Sequence, residues 1–197
     1  MTQVEICNLS ISHLGVSKEI AAITEDSSAA KALNRYYDLA RRDVLRRYPW
    51  PFAVKFATLS QIGEDPTDEW GYSYRYPSAC LKILRILSGE RNDDLDSKVV
   101  YKIVSDDEGQ LIYTDVDDAE IEYVADVTDT QNWPEDFVMA FSRRLAHLTG
   151  PRLGASPERI AEQAAWFRFE LDNAAAQASN EEQPDPEPKS SFEQARD

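Results

Sequence analysis

The stretch Tyr37-Asp38-Leu39-Ala40-Arg41-Arg42-Asp43-Val44-Leu45-Arg46-Arg47-Tyr48-Pro49-Trp50-Pro51-Phe52-Ala53 decides the fold. It runs from a helix with a basic end, through a knot of prolines and aromatics, into a segment of strand character. The helix has a physical reason to stop here. Pro49 and Pro51 lack an amide proton and bias Tyr48 and Trp50 away from helical angles. Arg41, Arg42, Arg46 and Arg47 crowd the last turns, where cations favour the carbonyl end of the helix dipole. The reading is therefore helix, sharp exit, strand.

Working outward, Ser27 is placed as the N-cap of a helix over about 28–48, with Ala29, Leu33, Tyr36, Ala40, Val44 and Tyr48 on one face. A shorter helix is expected over 3–14, with Val4, Cys7, Ile11 and Leu14 inward and Gly15 as its cap. Between them, Ile20 and Ile23 pack inward from a connector.

Downstream the period changes. Strands are expected at Phe52–Ser60, around Tyr72, Tyr74 and Tyr76, at Cys80–Leu87 as a central strand, and then at Val99–Ser105, Gln110–Val116 and Glu120–Val127. The short turns Asp106-Asp107-Glu108-Gly109 and Asp117-Asp118 make the last three an antiparallel meander. Residues 88–97 read as a loop. Trp133-Pro134-Glu135-Asp136 opens a helix that Gly150-Pro151 should end near Thr149. Ser156-Pro157-Glu158 opens the last helix, about 157–179, with Ile160, Ala164, Phe167, Leu171, Ala174 and Ala178 as its stripe. Residues 180–197 hold prolines, acids and serines with a single Phe192, a composition that does not repay ordering without a partner.

The sum is an α+β chain with segregated layers. Residues 1–50 and 131–179 form a helical bundle, 51–130 an antiparallel β lobe, and 180–197 an acidic tail ordered only by a partner.

Charge is unevenly spread over the 197 residues, whose net charge is −15. Residues 1–89 hold 11 basic and 10 acidic side chains, whereas residues 90–129 hold 3 basic and 14 acidic. A neutral body with an acidic middle is a poor wrapper of nucleic acid, which requires clustered Lys and Arg. Cys7 and Cys80 give no disulfide framework and read as buried thiols. No leader or membrane-spanning run is recognised, so the chain is expected to be cytoplasmic when made.

Signals for catalysis are thin. His13 and His147 sit in apolar helical contexts and read as structural, and no GxSxG, HExxH or P-loop occurs. Glu120 and Glu122 share a strand face, and Asp115, Asp117 and Asp118 crowd a turn. An acid/base pair for glycoside cleavage and a merely solvated surface both fit them. Asp106-Asp107-Glu108-Gly109 lacks the spacing of a calcium loop. No cofactor is implied. The row Arg41, Arg42, Arg46, Arg47 has Asp38 and Asp43 at helical pairing distance, which favours ion pairs within the fold or to a neighbour. Trp70 with the three tyrosines reads as a half-buried strand or subunit contact, with a carbohydrate platform as the alternative.

These residues also carry a resemblance. The opening stretch is similar to the "YDxARDxxLRxYPWxFA" signature of the tail tubular protein A family, the head-to-tail adaptors of short-tailed bacteriophages. Ile6 to Gly15 resembles its "ICNLALxxLG" helix. Trp70 to Ile86 resembles "WxYxYxxPxDCLKxxRI", with Ser78-Ala79 where an acid often precedes the cysteine. Leu111 to Asp129 resembles "LIYTDxxxAxIxYxxxVTD", and Trp133 to Ala146 resembles "WPxxFxxAxxxxLA". The blocks keep the family order and cover most of residues 3–150.

The resemblance implies a non-enzymatic virion protein, located in the tail. It implies a twelve-subunit ring between the portal protein and the tail nozzle protein, with surface for a tail fibre or spike. Packaged DNA would pass through without specific binding. On that reading Arg42, Arg46, Arg47, Trp50, Trp166 and Phe192 are candidates for subunit or portal contact, Trp50, Trp70 and Trp166 being expected as exposed aromatics. Asp106, Asp107, Glu108, Asp117 and Asp118 are candidates for a DNA-repelling channel wall. The alternative is a virion-associated peptidoglycan glycosidase using an acidic pair.

Overall fold

Helix α1 (Gln3–His13) begins with a reciprocal cap: Thr2 Oγ1 accepts from the Glu5 amide at 3.3 Å, and the Thr2 amide donates to Glu5 Oε2 at 2.7 Å. It stops where Gly15 turns left-handed (φ +69). In the computed structural model, residues 1–63, 66, 69–90 and 98–181 are described, with side chains up to 177. The connector is pinned by one side chain: Asn8 accepts from the Ile20 amide at 2.9 Å and donates to the Ile20 carbonyl at 3.0 Å. That bond pair seats Ile20 in the core.

Helix α2 (Ser28–Arg47) starts at the expected cap, with Ser27 Oγ accepting from the Ala30 amide at 3.1 Å. It ends at Tyr48, and Pro51–Ala53 form a single 3-10 turn. The strand expected from Phe52 therefore starts two residues later. Among the described residues seven strands follow: β1 (Val54–Thr58), β2 (Ser60–Gln61), β3 (Tyr72–Arg75), β4 (Cys80–Ile86), β5 (Tyr101–Asp106), β6 (Gly109–Thr114) and β7 (Glu120–Ala125). Helices α3 (Glu135–Leu153) and α4 (Pro157–Glu181) close the described chain. Helices first, antiparallel strands in the middle and helices last make this an α+β fold.

Two features of the strand region differ from the sequence reading. The strands form two antiparallel sheets, one ordered β1-β7-β4 and the other β2-β3-β6-β5. Strands β5 and β6 are the expected hairpin, but β7 leaves them to pair with β1 and β4, so no three-strand meander forms. The switch is made at Asp117-Asp118, where Asp118 adopts φ 47. Strand β4, read as central, is an edge; the centre is β7, whose Ile121 and Val124 are fully buried. Apolar character on both faces of β4 reflects cover above and below rather than a strand on each side: Leu81 and Leu84 pack on the helical core, Ile83 and Ile86 on the second core between the sheets.

Helix α3 also outruns its expected end. It passes through Gly150 and Pro151 to Leu153, and stops at Gly154 (φ +75). Pro151 sits in the last turn, where the lost amide bond is a small fraction of the helix. Gly150 lets α4 come close: a Cβ there would lie 2.7 Å from Ile160 Cγ1.

Helix α3 is buried along most of its girth, with α1, α2 and α4 packed around it. The main core joins Trp50, Trp133, Phe137 and Phe141 to Tyr37, Leu33 and Leu45, and takes in Ala53 and Val124. A second core lies between the sheets, built on Tyr74, Ile83, Ile86, Ile112, Ile121 and Tyr123. Val124 of β7 and Ala53 of the 3-10 turn thus belong to the helical core, and the lobes expected at 1–50 with 131–179 and at 51–130 share that seam.

Candidate functional site

The basic end of α2 is spent largely inside the molecule. Arg41 is buried and donates to both oxygens of Asp126, at 2.8 and 3.1 Å. Arg42 Nε reaches the same carboxylate at 3.0 Å. Burial pushes the Asp126 carboxyl up, but the two guanidiniums outweigh it and hold it below its ordinary value. This cluster ties α2 to the segment just after β7. Arg46 donates to the Leu81 carbonyl and ties the same helix to β4. Arg47 donates to Asp43 at 3.1 Å and lies 5.6 Å over the ring of Phe167. Arg42, Arg46 and Arg47 nonetheless remain exposed, so their surface faces are open to a partner.

Trp50 is not a surface residue. It is fully buried, donates its indole N–H to the Val44 carbonyl at 3.1 Å, and packs edge-to-face on Phe137 and Tyr48 at 5.1 and 5.3 Å. The expectation of a contact residue is corrected. The bend at Pro49 and Pro51 turns the indole back under α2, where burial of its large ring stabilises the corner. Trp70 is half-buried.

Trp166 is on the surface as expected, 41 % exposed, and it has a neighbour that periodicity concealed. Phe169 is 52 % exposed and meets Trp166 edge-to-face at 5.5 Å. Together with Glu162 and Ala165 they line a shallow apolar hollow of about 280 Å³ on the outer side of α4. Arg143 of α3 lies 5.4 Å over the Trp166 ring and donates to Gln163 at 2.8 Å. Phe192 lies outside the described residues, as does the tail from 182 on.

The acidic candidates fall into two separate places. Asp106, Asp107 and Glu108 form the tip between β5 and β6, while Asp117 and Asp118 follow the far end of β6. Six residues of strand separate them, roughly 17 Å. At the tip, Arg75 donates to both Asp106 oxygens (2.9 and 3.0 Å) and to Glu108 (3.0 Å). That bond and the turn amides of Glu108 and Gly109 hold the Asp106 carboxyl below its ordinary value. Asp107, Asp117 and Asp118 are exposed.

The remaining candidates have structural partners. Glu122 accepts from Arg85 at 2.6 Å and Glu120 from Thr58 at 3.3 Å, so the one carboxylate is ion-paired and suits poorly the proton donor of a glycosidase. Tyr74 is buried and donates to the Val116 carbonyl at 2.8 Å, and Tyr72 stacks beside it at 6.4 Å. His13 meets Ser142 at 3.0 Å; burial, then Arg143, pushes its imidazole down to about 4. His147 faces the Ile160 carbonyl at 3.3 Å. Burial pushes the Cys7 thiol up to about 12 and raises that of Cys80. Among the described residues no His, Cys, Asp or Glu group has the makings of a metal site, and no helix is long and apolar enough to cross a membrane.

Compared with protein-family models and with curated proteins, the chain matches none.

Proposed function

We propose that this protein is a subunit of a head-to-tail adaptor ring in a short-tailed bacteriophage, joining the portal to the tail nozzle and continuing the DNA channel. The observation that carries the reading is the ordered set of sequence blocks resembling the tail tubular protein A family. The blocks coincide with α1, with the α2 corner into β1, with β3–β4, with β6–β7 and with α3. They supply the bulk of both cores, so the resemblance lies in the framework and not in one loop.

Two surface properties support it. Large apolar side chains stand exposed on α4 and on strand edges: Trp166, Phe169, Phe56 and Ile103. Assembly gives such residues cover. The β lobe carries acid at both ends of β6, a surface that repels a passing phosphate backbone and lets it slide. In this reading the protein does no chemistry, and its place in the particle is the tail.

The test is to mix the purified protein with its cognate portal ring and read the stoichiometry by native mass and the arrangement by cryo-electron microscopy. A closed ring stacked on the portal is expected. A chain that stays monomeric and never engages the portal overturns the reading and directs attention to peptidoglycan cleavage.

A further inference from the structure

Helices α2 and α4 each pack one side on α3 and, among the described residues, keep an exposed row on the other, although α2 also meets β4 and β7 at its C-terminal end. The two exposed rows have the same spacing and opposite charge. On α2 the outer row is Lys31, Arg35, Leu39, Arg42 and Arg46, every member exposed and Leu39 57 % so. On α4 the outer row is Glu158, Glu162, Trp166 and Phe169, with exposed Asp172 beside it; exposed Arg159 borders the row and donates to Glu162 at 3.1 Å, so the face is acidic only in its balance. Steps of four, four and three residues keep each row on one helix face over ~20 Å. An apolar centre flanked by charge is the pattern of a helix–helix seam. Within the chain the rows do not meet: among the described residues no ion pair joins α2 to α4. Asp38, the acid beside the α2 row, is taken by Arg41, and Arg42 stays 60 % exposed even with its bond to Asp126.

We infer that the basic face of α2 on one subunit docks against the acidic, aromatic face of α4 on a second copy of this chain. Two unlike, complementary patches on one polypeptide make a head-to-tail contact, and repeated head-to-tail contacts close into a ring when the rotation permits. The inference rests on the adaptor reading for the ring, and charge complementarity names the occupant. Leu39 enters the hollow between Trp166 and Phe169, and the flanking Arg35 and Arg46 face Glu162 and Asp172.

Charge reversal in pairs tests it. Arg35→Glu and Glu162→Arg are exposed substitutions made in the full chain and checked for folding by thermal unfolding. Each variant alone puts like charges into every contact, and ring formation on the portal is expected to weaken at least about tenfold. Mixed one to one, the variants should alternate around the ring with every contact matched, and assembly should return. If wild type closes a ring and both variants close it equally well, this contact is wrong and the adaptor reading stands. If Glu162→Arg fails and the mixture does not recover, α4 meets the portal and not a second copy, which also overturns it. If wild type ignores the portal, the adaptor reading fails by itself. Concentration-dependent self-association that the single variants lose and the mixture regains then still upholds the contact. A wild-type monomer at every concentration removes it.

Discussion

Asp43 of α2 accepts from Arg144 of α3 at 2.7 Å, across 101 residues of sequence. The same carboxylate accepts from Arg47, and both guanidiniums lie 5.6 Å from the Phe167 ring of α4. One carboxylate and one ring thus fasten three helices at a half-exposed seam. Both arginines gain a hydrogen bond and a ring face at once, an arrangement the planar guanidinium permits and an ammonium does not.

Asp43→Ala leaves Arg144, only 22 % exposed, without its acceptor. A loss of about 1–3 kcal/mol is expected, read by urea unfolding. Arg144→Lys should recover little of what Arg144→Ala loses, because the ring contact depends on the flat cation. Full recovery would mean that charge alone matters there.

Trp50→Ala empties the corner between α2 and β1 and should cost about 3–5 kcal/mol. Trp50→Phe keeps most of the volume but strands the Val44 carbonyl, so a smaller loss is expected in the same denaturation experiment. A Trp50→Ala protein as stable as wild type would contradict the buried position.

Acid should loosen the contact between α1 and α3. The His13 imidazole is held down to about 4 from an ordinary 6.5, so the folded state favours the neutral ring. Its contribution is complete above 6.5 and is lost as pH falls toward 4, on the order of 2 kcal/mol. Asp126, also held below its ordinary 3.8, contributes above that value and loses its share only at lower pH still. Thermal melts between pH 7 and 4 should show Tm falling, and His13→Asn should flatten that slope. An unchanged slope would separate His13 from the effect.

Gly150→Ala should destabilise, although the change normally favours a helix by about 1 kcal/mol. The new methyl would sit 2.7 Å from Ile160 Cγ1 and 3.3 Å from Leu14 Cδ2, with other helices on both sides. A net loss of about 1–2 kcal/mol is expected. Pairing it with Ile160→Val removes only Cδ1, at 3.3 Å, and leaves the 2.7 Å contact, whereas Ile160→Ala should relieve both. A stabilised Gly150→Ala would show that the helices move apart freely.

The helices were legible because their signals are local. Ser27, Gly15 and the acids after Pro134 mark ends by chemistry that operates within one turn, and the α2 and α4 stripes follow from period alone. Strand positions were legible for the same reason, to within about two residues, except that the run read as one strand from Phe52 to Ser60 breaks at Leu59 into β1 and β2, which lie in different sheets. Their partners were not. β7 pairs with β1, some 66 residues earlier at Val54↔Val124 and Thr58↔Glu120, and nothing in the alternation of Glu120–Ala125 names that strand. The expected meander relied on turn length, and a turn of two aspartates serves equally to change sheets. Trp50 was misread because a residue between two prolines has no period to say which way it points. Phe169 was missed since it lies off the core stripe, and only the uncovered side of α4 gives it meaning. The arginine row was half read: the Asp43–Arg47 pair was visible in the spacing, but Asp38 takes Arg41 and not Arg42, and Asp126, which holds Arg41 and Arg42, lies on a distant segment.

The corner from Tyr48 to Ala53 has a further consequence for the chain before it folds. Pro49 and Pro51 restrict their own φ and the angles of Tyr48 and Trp50 in the denatured ensemble as well as in the native one. This bend therefore surrenders little disorder on folding, and the approach of β1 to the end of α2 is partly prepaid in covalent geometry. A helix and a strand that must leave each other at a set angle are joined here by a hinge that has already stopped swinging.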